Sequence, residues 1–403
     1  MMARREEPNW IIILRGAARA RYEAAAWPTS ADEEWKRSDV SKMRLDAIEA
    51  EEEGRNASAG GGSRDEVLSM RGGTAASEGG PRFLDLEEAE EEEGHLLQTL
   101  LASALAGAAD RFSLWNLARL GATGLLVIPP GFASSEPILV DTRAAGVLTS
   151  PRLIIVAGEN SRVDIVHRVS GESGAGVVNA ALDLRLGDGA RVGLYEFQDL
   201  GSGTTYFRDA RATVGRNASL RHFDAEFGGA FVKSRFDCAL RGEGAEVKLD
   251  GAYHCVAGQR MDLRTVQRHD SPRATSRAFY KGTVEGGGRT VFQGLIEVAV
   301  GASGTDAFLT NRNLLLGDSA RSDSIPTLRI GNNDVRCSHG STTGRLSEDE
   351  IFYLESRGLR RDEAREMLLL GYYEELLGDT PAAFMEDSLA RLRSRVSILG
   401  QAA

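Results

Sequence analysis

A glycine-marked repeat constrains the fold of this chain more than any other feature. Gly158, Gly187, Gly215 and Gly242 each open the same pattern: glycine, two residues, a small residue, one residue, then valine or leucine. These glycines lie 29, 28 and 27 residues apart, and Gly301 follows 59 residues later, close to two further periods. A strand after each glycine at this period is typical of a parallel β-helix, in which each coil buries its apolar side chains against the next. We therefore predict a solenoid rather than a sandwich or barrel.

Alternation within the repeats predicts which side chains face the interior. In the fourth repeat Cys255 is in phase with Val247 and faces inward, whereas His254 faces outward. Cys238 and His167 are likewise in phase with apolar neighbours on their own strands. Because free cysteine is among the most buried residue types, we predict that these inward residues fill the core rather than bind a ligand.

Charge and cysteine content limit the class of partner and the compartment. The chain carries 59 acidic and 48 basic residues, a net charge of −11, which argues against a nucleic-acid partner because phosphate binding requires a basic surface. Three cysteines in 403 residues do not form a secreted disulfide framework. No apolar stretch approaches the roughly 18 residues of a membrane span. We expect a cytoplasmic protein without a membrane partner.

Composition divides the chain into three predicted regions. Residues 1–110 form an N-terminal helical region, with helices over 8–27, 32–36 and 97–109 and an acidic, glycine-rich, flexible connector over 46–94. Residues 111–344 form the β-helix. Residues 345–403 form a C-terminal helical domain of three helices, the first capped by Ser347 and the third by Thr380. The apolar stripe from Met385 to Leu399 on the third helix packs on the protein's own core or on a partner.

Cys337 and His339 form the one candidate metal site that spacing selects. Strand alternation places them on one face with Val335, with about 7 Å between their backbones. A thiol and an imidazole can hold iron or zinc, but two ligands do not close a tetrahedral site, so a metal here needs further ligands. From the residues alone, the pair is either a metal site or structural.

No sequence motif indicates another kind of catalytic or binding site. The sequence lacks the phosphate-binding loop, the nucleophile elbow and the zinc-binding HExxH helix. Carboxylates are abundant, but no pair is singled out by its spacing. Two alternatives to a metal-handling role therefore stay open: a β-helix enzyme acting on carbohydrate, and a structural zinc protein.

Long co-linear segments resemble the SufB/SufD family of iron-sulfur cluster assembly proteins, and specifically its SufD branch. The C-terminal signature is carried by GTDAFLTNRNLLLGDSARSD followed by VRCSHGSTTGRLSEDEIFYLESRGLRRDEA. Further similar segments are DLRTVQRHDSPRATSRAFYKG, EEWKRSDV and RFSLWNLARLGATGLLVIPPG. The resemblance covers residues 110–403 well and 8–45 moderately, whereas 46–95 depart from the family. Phe308, Leu309 and Thr310 stand where the SufB branch has a cysteine, which argues against a primary scaffold.

The resemblance implies a mainly β fold, a right-handed parallel β-helix flanked by N-terminal and C-terminal α-helical domains. It implies a non-catalytic subunit of a SufBCD complex, in which the β-helix pairs with SufB and the C-terminal helical domain docks the ATPase SufC, where ATP hydrolysis resides. Iron or an iron-sulfur cluster would be held transiently and shared with SufB, with none bound stably by this chain alone. His339, with Cys337 beside it, would contribute ligands to that shared site. A homodimer of the isolated chain is left open.

Overall fold

The computed structural model describes residues 8–41, 43–51, 68–71, 79–86, 91–108, 110–171, 174, 176–378 and 380–399. Two long β-sheets run through the middle of the chain, and α-helices lie at both of its ends. Among the described helices, none is both long enough and apolar enough to traverse a bilayer.

The first sheet, sheet A, has nine strands. In spatial order they are β1 (Leu68–Arg71), β4 (Ile138–Ala144), β7 (Arg162–Gly171), β9 (Arg191–Asp199), β11 (Ser219–Glu226), β13 (Glu246–Cys255), β15 (Thr275–Val284), β17 (Thr305–Leu315) and β19 (Val335–Arg345). Strand β1 is antiparallel to β4, and every later pair is parallel.

The second sheet, sheet B, has ten strands. From the same end they are β2 (Arg82–Asp85), β3 (Thr123–Ile128), β6 (Arg152–Ala157), β8 (Val177–Leu186), β10 (Thr205–Val214), β12 (Phe231–Leu240), β14 (Arg260–His269), β16 (Arg289–Val298) and β18 (Arg321–Ile330), with the short β5 (Leu148–Thr149) also pairing with β8. Only the β2–β3 pair in this sheet is antiparallel. From β6 onwards, successive strands alternate between the two sheets, which confirms the predicted parallel β-helix.

The predicted glycine repeat marks the turns between coils. The backbones of successive turns stack so closely that a Cβ atom built on Gly242 would lie 2.0 Å from the amide nitrogen of Arg216. Only glycine permits this approach, since real Cβ atoms do not come so near to a backbone atom. The period of the repeat is therefore the length of one coil.

The interior between the sheets is a continuous apolar column. In-phase residues of successive strands stack on one another, as Leu220 does on Val192 and Val247 through the parallel register. Cys238 and Cys255 are fully buried members of this column, which confirms their prediction as core residues. The dominant stabilising contribution is the burial of apolar area along this column, at about 25 cal/mol per Å².

Helices of the N-terminal region cover the outer face of sheet B. They are α1 (Asn9–Ala24), a 3-10 turn (Glu33–Trp35), α2 (45–51), α3 (Glu91–Ala106) and α4 (Arg111–Arg119). Trp35 and Phe112 are stacked at 4.9 Å between ring centroids, and Phe112 stacks in turn on Phe207 of sheet B at 3.9 Å. This aromatic cluster fixes the helical region on the solenoid.

The domain division of this region stays a prediction, and the structure places two strands and a helix within it. The connector over 46–94 was predicted to be flexible, but β1 and β2 lie within it and extend the two sheets, and Leu86 is buried there. The rest of its acidic runs, over 52–67, 72–78 and 87–90, lies outside the described residues. The β-helix was predicted to begin at 111, but α4 occupies Arg111–Arg119. Most of α4 is buried, so it lacks the polar face by which a helix is recognised in a sequence.

Three C-terminal helices follow the last strand: α5 (Glu348–Ser356), α6 (Arg361–Leu377) and α7 (Ala382–Leu399). Ser347 caps α5 as predicted, accepting a hydrogen bond from the Glu350 amide at 3.2 Å. Thr380 does not act as predicted, because its hydroxyl donates to the Leu377 carbonyl at 2.7 Å. Helices α6 and α7 pack on the outer face of sheet A, where Phe384 contacts the rings of Tyr195 and Phe223.

Candidate functional site

Cys337 and His339 lie on β19, the last strand of sheet A. The parallel register sets Cys337 beside Ala307 and His339 beside Leu309, both of which are buried in the interior column. The two side chains therefore occupy the inward-facing row, one coil beyond the filled core. Cys337 is half-buried and His339 is exposed, because β19 is the outermost strand of its sheet.

The thiol and the imidazole of this pair differ in their surroundings. Burial raises the pKa of the Cys337 thiol, opposed by a hydrogen bond with the Ala307 backbone and reinforced by the charge of Asp306. The thiol is therefore protonated at neutral pH and would have to lose its proton in order to bind a metal ion. The exposed His339 ring presents its nitrogen atoms to solvent at the end of the solenoid. Its position makes it the better placed of the two to meet an incoming ion.

Ligand number at this end of the solenoid is low. Within the described part of the chain, no group of three or more histidine, cysteine, aspartate or glutamate side chains is arranged to hold a metal ion. A tetrahedral iron or zinc centre takes four ligands, and this strand supplies two. The pair can form part of a centre that is completed from another molecule.

No described strand pairs beyond β18 or β19, so in the part of the chain that the structure describes both sheets are open at the end that carries the pair. Strands β18 and β19 are the last members of their sheets, and each has about ten residues of edge. Unpaired backbone groups along such an edge are a template for a strand of another chain. Three large apolar side chains near this end are exposed: Val300 (79%), Ile330 (42%) and Phe308 (40%). Backbone and apolar groups are both available there for contact with another protein.

Two other histidines, His254 and His269, have hydrogen-bond partners within the solenoid. His254 points outward as predicted, but it is fully buried beneath α6 and hydrogen-bonds Thr283 at 2.6 Å. His269 lies in the interior on sheet B and hydrogen-bonds Ser276 at 2.8 Å, while the neighbouring Asp270 is exposed. Burial lowers the pKa of His269 to about 4, so the ring is neutral.

A buried polar network within the solenoid was missed in the sequence. Glu196 accepts from His167 at 3.0 Å and from His222 at 2.8 Å, and it is also ion-paired with Arg208, which lies 3.4 Å from Asp224. Burial lowers the pKa of both histidines to about 3, so they are neutral donors. His167 was predicted as a core residue; it is buried, but hydrogen-bonded. The signal that could have revealed the network is the in-phase polar series of β11.

The C-terminal helices present one apolar face to the solenoid and another to solvent. The described part of the predicted stripe, Met385, Leu389 and Leu392, packs against the outer face of sheet A. This part of the stripe therefore belongs to the protein's own core, and the side chains from 395 to Leu399 lie outside the described residues. Phe352 (72%), Tyr353 (55%) and Met367 (52%) on α5 and α6 are exposed instead.

Fold and site together define a class: β-helix proteins that carry a thiol and an imidazole at an open end of the solenoid. The family model described as SUF system FeS cluster assembly, SufBD core domain, matches residues 140–372, more than half of the chain. The chain therefore belongs to the SufB/SufD family of iron-sulfur cluster assembly proteins.

Curated relatives agree with this assignment. The chain is 32% identical over 212 residues to an iron-sulfur cluster assembly SufBD family protein of Mycobacterium tuberculosis, a match covering 51% of this chain and 53% of that protein. It is 39% identical over 149 residues to the iron-sulfur cluster assembly protein SufD of Escherichia coli, covering 37% and 35%. A SufBD family protein of Staphylococcus epidermidis is 24% identical over 306 residues, covering 75% and 66%. The chain spans about half the length of the first of these relatives.

Proposed function

We propose that this chain is a SufD-like, non-catalytic subunit of a SufBCD complex that assists iron acquisition and cluster formation at an interface with SufB. The observation that carries the proposal is the position of Cys337 and His339 on an unpaired edge strand, with too few ligands to close a site. The similarity to E. coli SufD supports the branch. The cluster is cargo, held in part by this chain and completed by the partner.

Each predicted region has a proposed task. The solenoid, predicted over 111–344, pairs with SufB through its open end, and the same edges are free to pair with a second copy when the chain is alone. The C-terminal domain, predicted over 345–403, docks the ATPase SufC. Phe352, Tyr353 and Met367 are the proposed contact, because large apolar side chains that are exposed to solvent are typical of a protein interface.

The ligand role is tested by replacing the imidazole. His339→Ala is co-expressed with SufB and SufC, and the purified complex is analysed anaerobically for iron and sulfide. The complex should form in normal yield but carry less cluster, since an exposed side chain is removed and no core contact is lost. Ser341→Ala is the matched control, being exposed and two residues further along the same face. Wild-type iron and sulfide in the His339→Ala complex would refute the ligand role.

Partner docking is tested separately. Phe352→Asp places a charge at the proposed SufC contact, and Ile12→Asp places the same charge on an exposed apolar residue of α1. Size-exclusion chromatography of the co-expressed proteins should show loss of SufC for Phe352→Asp alone. Equal retention of SufC by both variants would contradict the proposed contact, without bearing on His339.

A further inference from the structure

A small pocket of about 200 Å³ lies on the outer face of sheet B, where a segment of the N-terminal region crosses the last coils of the solenoid. Arg37 and Ser38 form one wall, and the first residues of strands β14, β16 and β18 form the other. The strand that carries Cys337 and His339 belongs to sheet A and does not line the pocket. Nothing in the proposed cluster chemistry uses this site.

Three arginines stand side by side on the sheet wall of this pocket. Arg260, Arg289 and Arg321 are the first residues of β14, β16 and β18, and the parallel register makes each the direct neighbour of the next. Neighbouring strands lie about 4.8 Å apart, so the three positions extend over about 10 Å. The same register position on β12 is the buried Phe231, where the row begins. Arg37 brings a fourth guanidinium from the opposite wall.

Two of these four arginines have no acidic partner among the described residues, and the other two share one. Within the part of the chain that the structure describes, Arg260 and Arg289 form neither a side-chain hydrogen bond nor an ion pair. Asp323 lies 3.8 Å from Nε of Arg37 and 3.9 Å from Nε of Arg321, and both distances are too long for a hydrogen bond. Each guanidinium carries five N–H donors, so this pocket offers many donors and few acceptors.

The second acid that lines the pocket is already neutralised. Asp262 is buried, and its carboxylate accepts hydrogen bonds from Lys233 at 2.6 Å and from Gln293 at 3.1 Å. The hydroxyl of Ser38 donates to the same carboxylate. Four arginines against two aspartates give the lining a net charge of +2 in a chain of −11, and one of those aspartates is matched by a lysine behind it. The pocket is therefore positive and attracts an anion.

Side-chain type and pocket size favour a small phosphoryl ligand. All four cations are arginines, whose planar fork donates two parallel hydrogen bonds to a phosphate or a carboxylate, whereas lysine is a point charge. A carboxylate has two oxygens, but a phosphoryl group has three acceptor oxygens around one centre and can meet guanidinium groups from both walls. The volume of the pocket is below the range of about 300–1,000 Å³ that buries a drug-sized ligand.

The length of the arginine row distinguishes one phosphate from two. A single phosphate set between two neighbouring arginines leaves the third a further strand interval away, about 4.8 Å. Two linked phosphates can contact all three arginines of the row, with Arg37 on the opposite side. We propose that this pocket binds a diphosphate group, either as free pyrophosphate or as the diphosphate of a nucleotide, held by the three arginines of the row and by Arg37.

The full chain is titrated with sodium pyrophosphate by isothermal titration calorimetry, in a buffer free of phosphate and of divalent cations. One saturable site is expected, with an affinity that falls as salt is raised. The double variant Arg260→Gln, Arg289→Gln removes the two arginines that have no acidic partner among the described residues. It should bind about 25-fold more weakly, since each exposed guanidinium contributes a factor of about five.

A matched double variant controls for overall charge. Arg162 and Arg191 are also exposed first residues of adjacent parallel strands and direct neighbours in register, but they lie on sheet A. Arg162→Gln, Arg191→Gln removes the same two charges and should change the affinity for pyrophosphate less than twofold. Circular dichroism melts establish that both double variants are folded. If the pocket variant is unfolded, Arg260→Gln and Arg289→Gln are measured singly, each with an expected loss of about fivefold.

Titrations with ADP, orthophosphate and citrate identify the ligand. Binding of ADP at least as tight as that of pyrophosphate supports a nucleotide as the source of the diphosphate, and weaker binding supports the free ion. Four results would overturn the proposal: no binding of pyrophosphate, an equal loss of affinity in the control variant, orthophosphate binding as tight as pyrophosphate, or citrate binding as tight, which would show a response to charge alone. No readout involves iron or sulfide, so the outcome is independent of the proposed cluster function.

Discussion

Glu226 offers the sharpest test of the electrostatics inside the solenoid. Its side chain is buried in the interior row of β11, next to the hydroxyl of Ser234. Burial, and then the charge of Asp224, raise the pKa of Glu226 to about 8, against an ordinary value of 4.5. The carboxyl is therefore neutral in the folded protein at pH 7 and ionised in the unfolded chain.

This difference makes Glu226 a pH-dependent destabilising residue. When folding raises the pKa of a group, the group's contribution to stability is fully present below the pKa of the unfolded state and is lost as the pH rises to the pKa of the folded state. For Glu226 this loss occurs between pH 4.5 and pH 8. At 1.36 kcal/mol per pH unit, ionisation in the unfolded state costs about 1 kcal/mol of stability at pH 5 and about 4 kcal/mol at pH 8. Glu226→Gln removes the titration with little change of shape, so it should stabilise the protein by about 3 kcal/mol more at pH 8 than at pH 5.

Thermal unfolding at one scan rate measures the effect. For a domain of this size 1 kcal/mol corresponds to about 2 °C, so Glu226→Gln should raise the melting temperature by about 8 °C at pH 8 and by about 2 °C at pH 5. Asp224→Asn is the control of opposite sign, because it removes the charge that faces Arg208 at 3.4 Å and should destabilise the protein at both pH values. A Glu226→Gln shift of equal size at pH 5 and pH 8 would refute the raised pKa.

Three further predictions concern turns, docking and acid sensitivity. Gly242→Ala should lower stability by about 3 kcal/mol or more in denaturant titrations, because its Cβ would collide with backbone, whereas Gly287→Ala, with open space around it, should be nearly neutral. Tyr373→Phe removes two hydrogen bonds, of 2.6 and 2.7 Å, that join α6 to the solenoid. The free energy of opening of α6, measured by amide hydrogen exchange, should fall by about 2 kcal/mol. Because the pKa of His269 is lowered in the folded protein, its contribution to folding stability is present above pH 6.5 and is lost as the pH falls towards 4. Wild-type protein should therefore lose about 2 kcal/mol more stability between pH 7 and pH 5 than His269→Gln does. Denaturant titrations at the two pH values measure this difference.

The solenoid could be predicted because its sequence signal is periodic and local. Each coil repeats a glycine turn and an alternating strand, so the spacing of Gly158, Gly187, Gly215 and Gly242 specifies coil length without knowledge of distant contacts. Strands β1 and β2 could not be predicted in this way. Each is four residues long and flanked by glycine-rich or acidic sequence, and each is formed by pairing with the edge of a sheet built from later residues.

The sequence predicted the two residues of the candidate site but not their location at the end of the solenoid. Alternation put Cys337 and His339 on one face, and the register then located that face above Ala307 and Leu309 at the end of the core. The interior network was missed because the polar series of β11, which includes His222, has its partners on other strands. The partner of His222, Glu196, is 26 residues away in sequence and one strand away in space, a relation that only the register reveals.

The two edges at the open end of the solenoid are chemically unequal. Strand β18 contains Pro326, which lacks an amide hydrogen and is tolerated in sheets mainly at edges, where it interrupts the row of donors. Strand β19 contains no proline along Val335–Arg345, so its backbone donors are unbroken over eleven residues. At the other end, β1 and β2 complete the sheets in antiparallel pairs with β4 and β3. The longest uninterrupted row of backbone groups at the open end therefore belongs to the strand that carries Cys337 and His339, and a strand added there would bring its own side chains into register beside them.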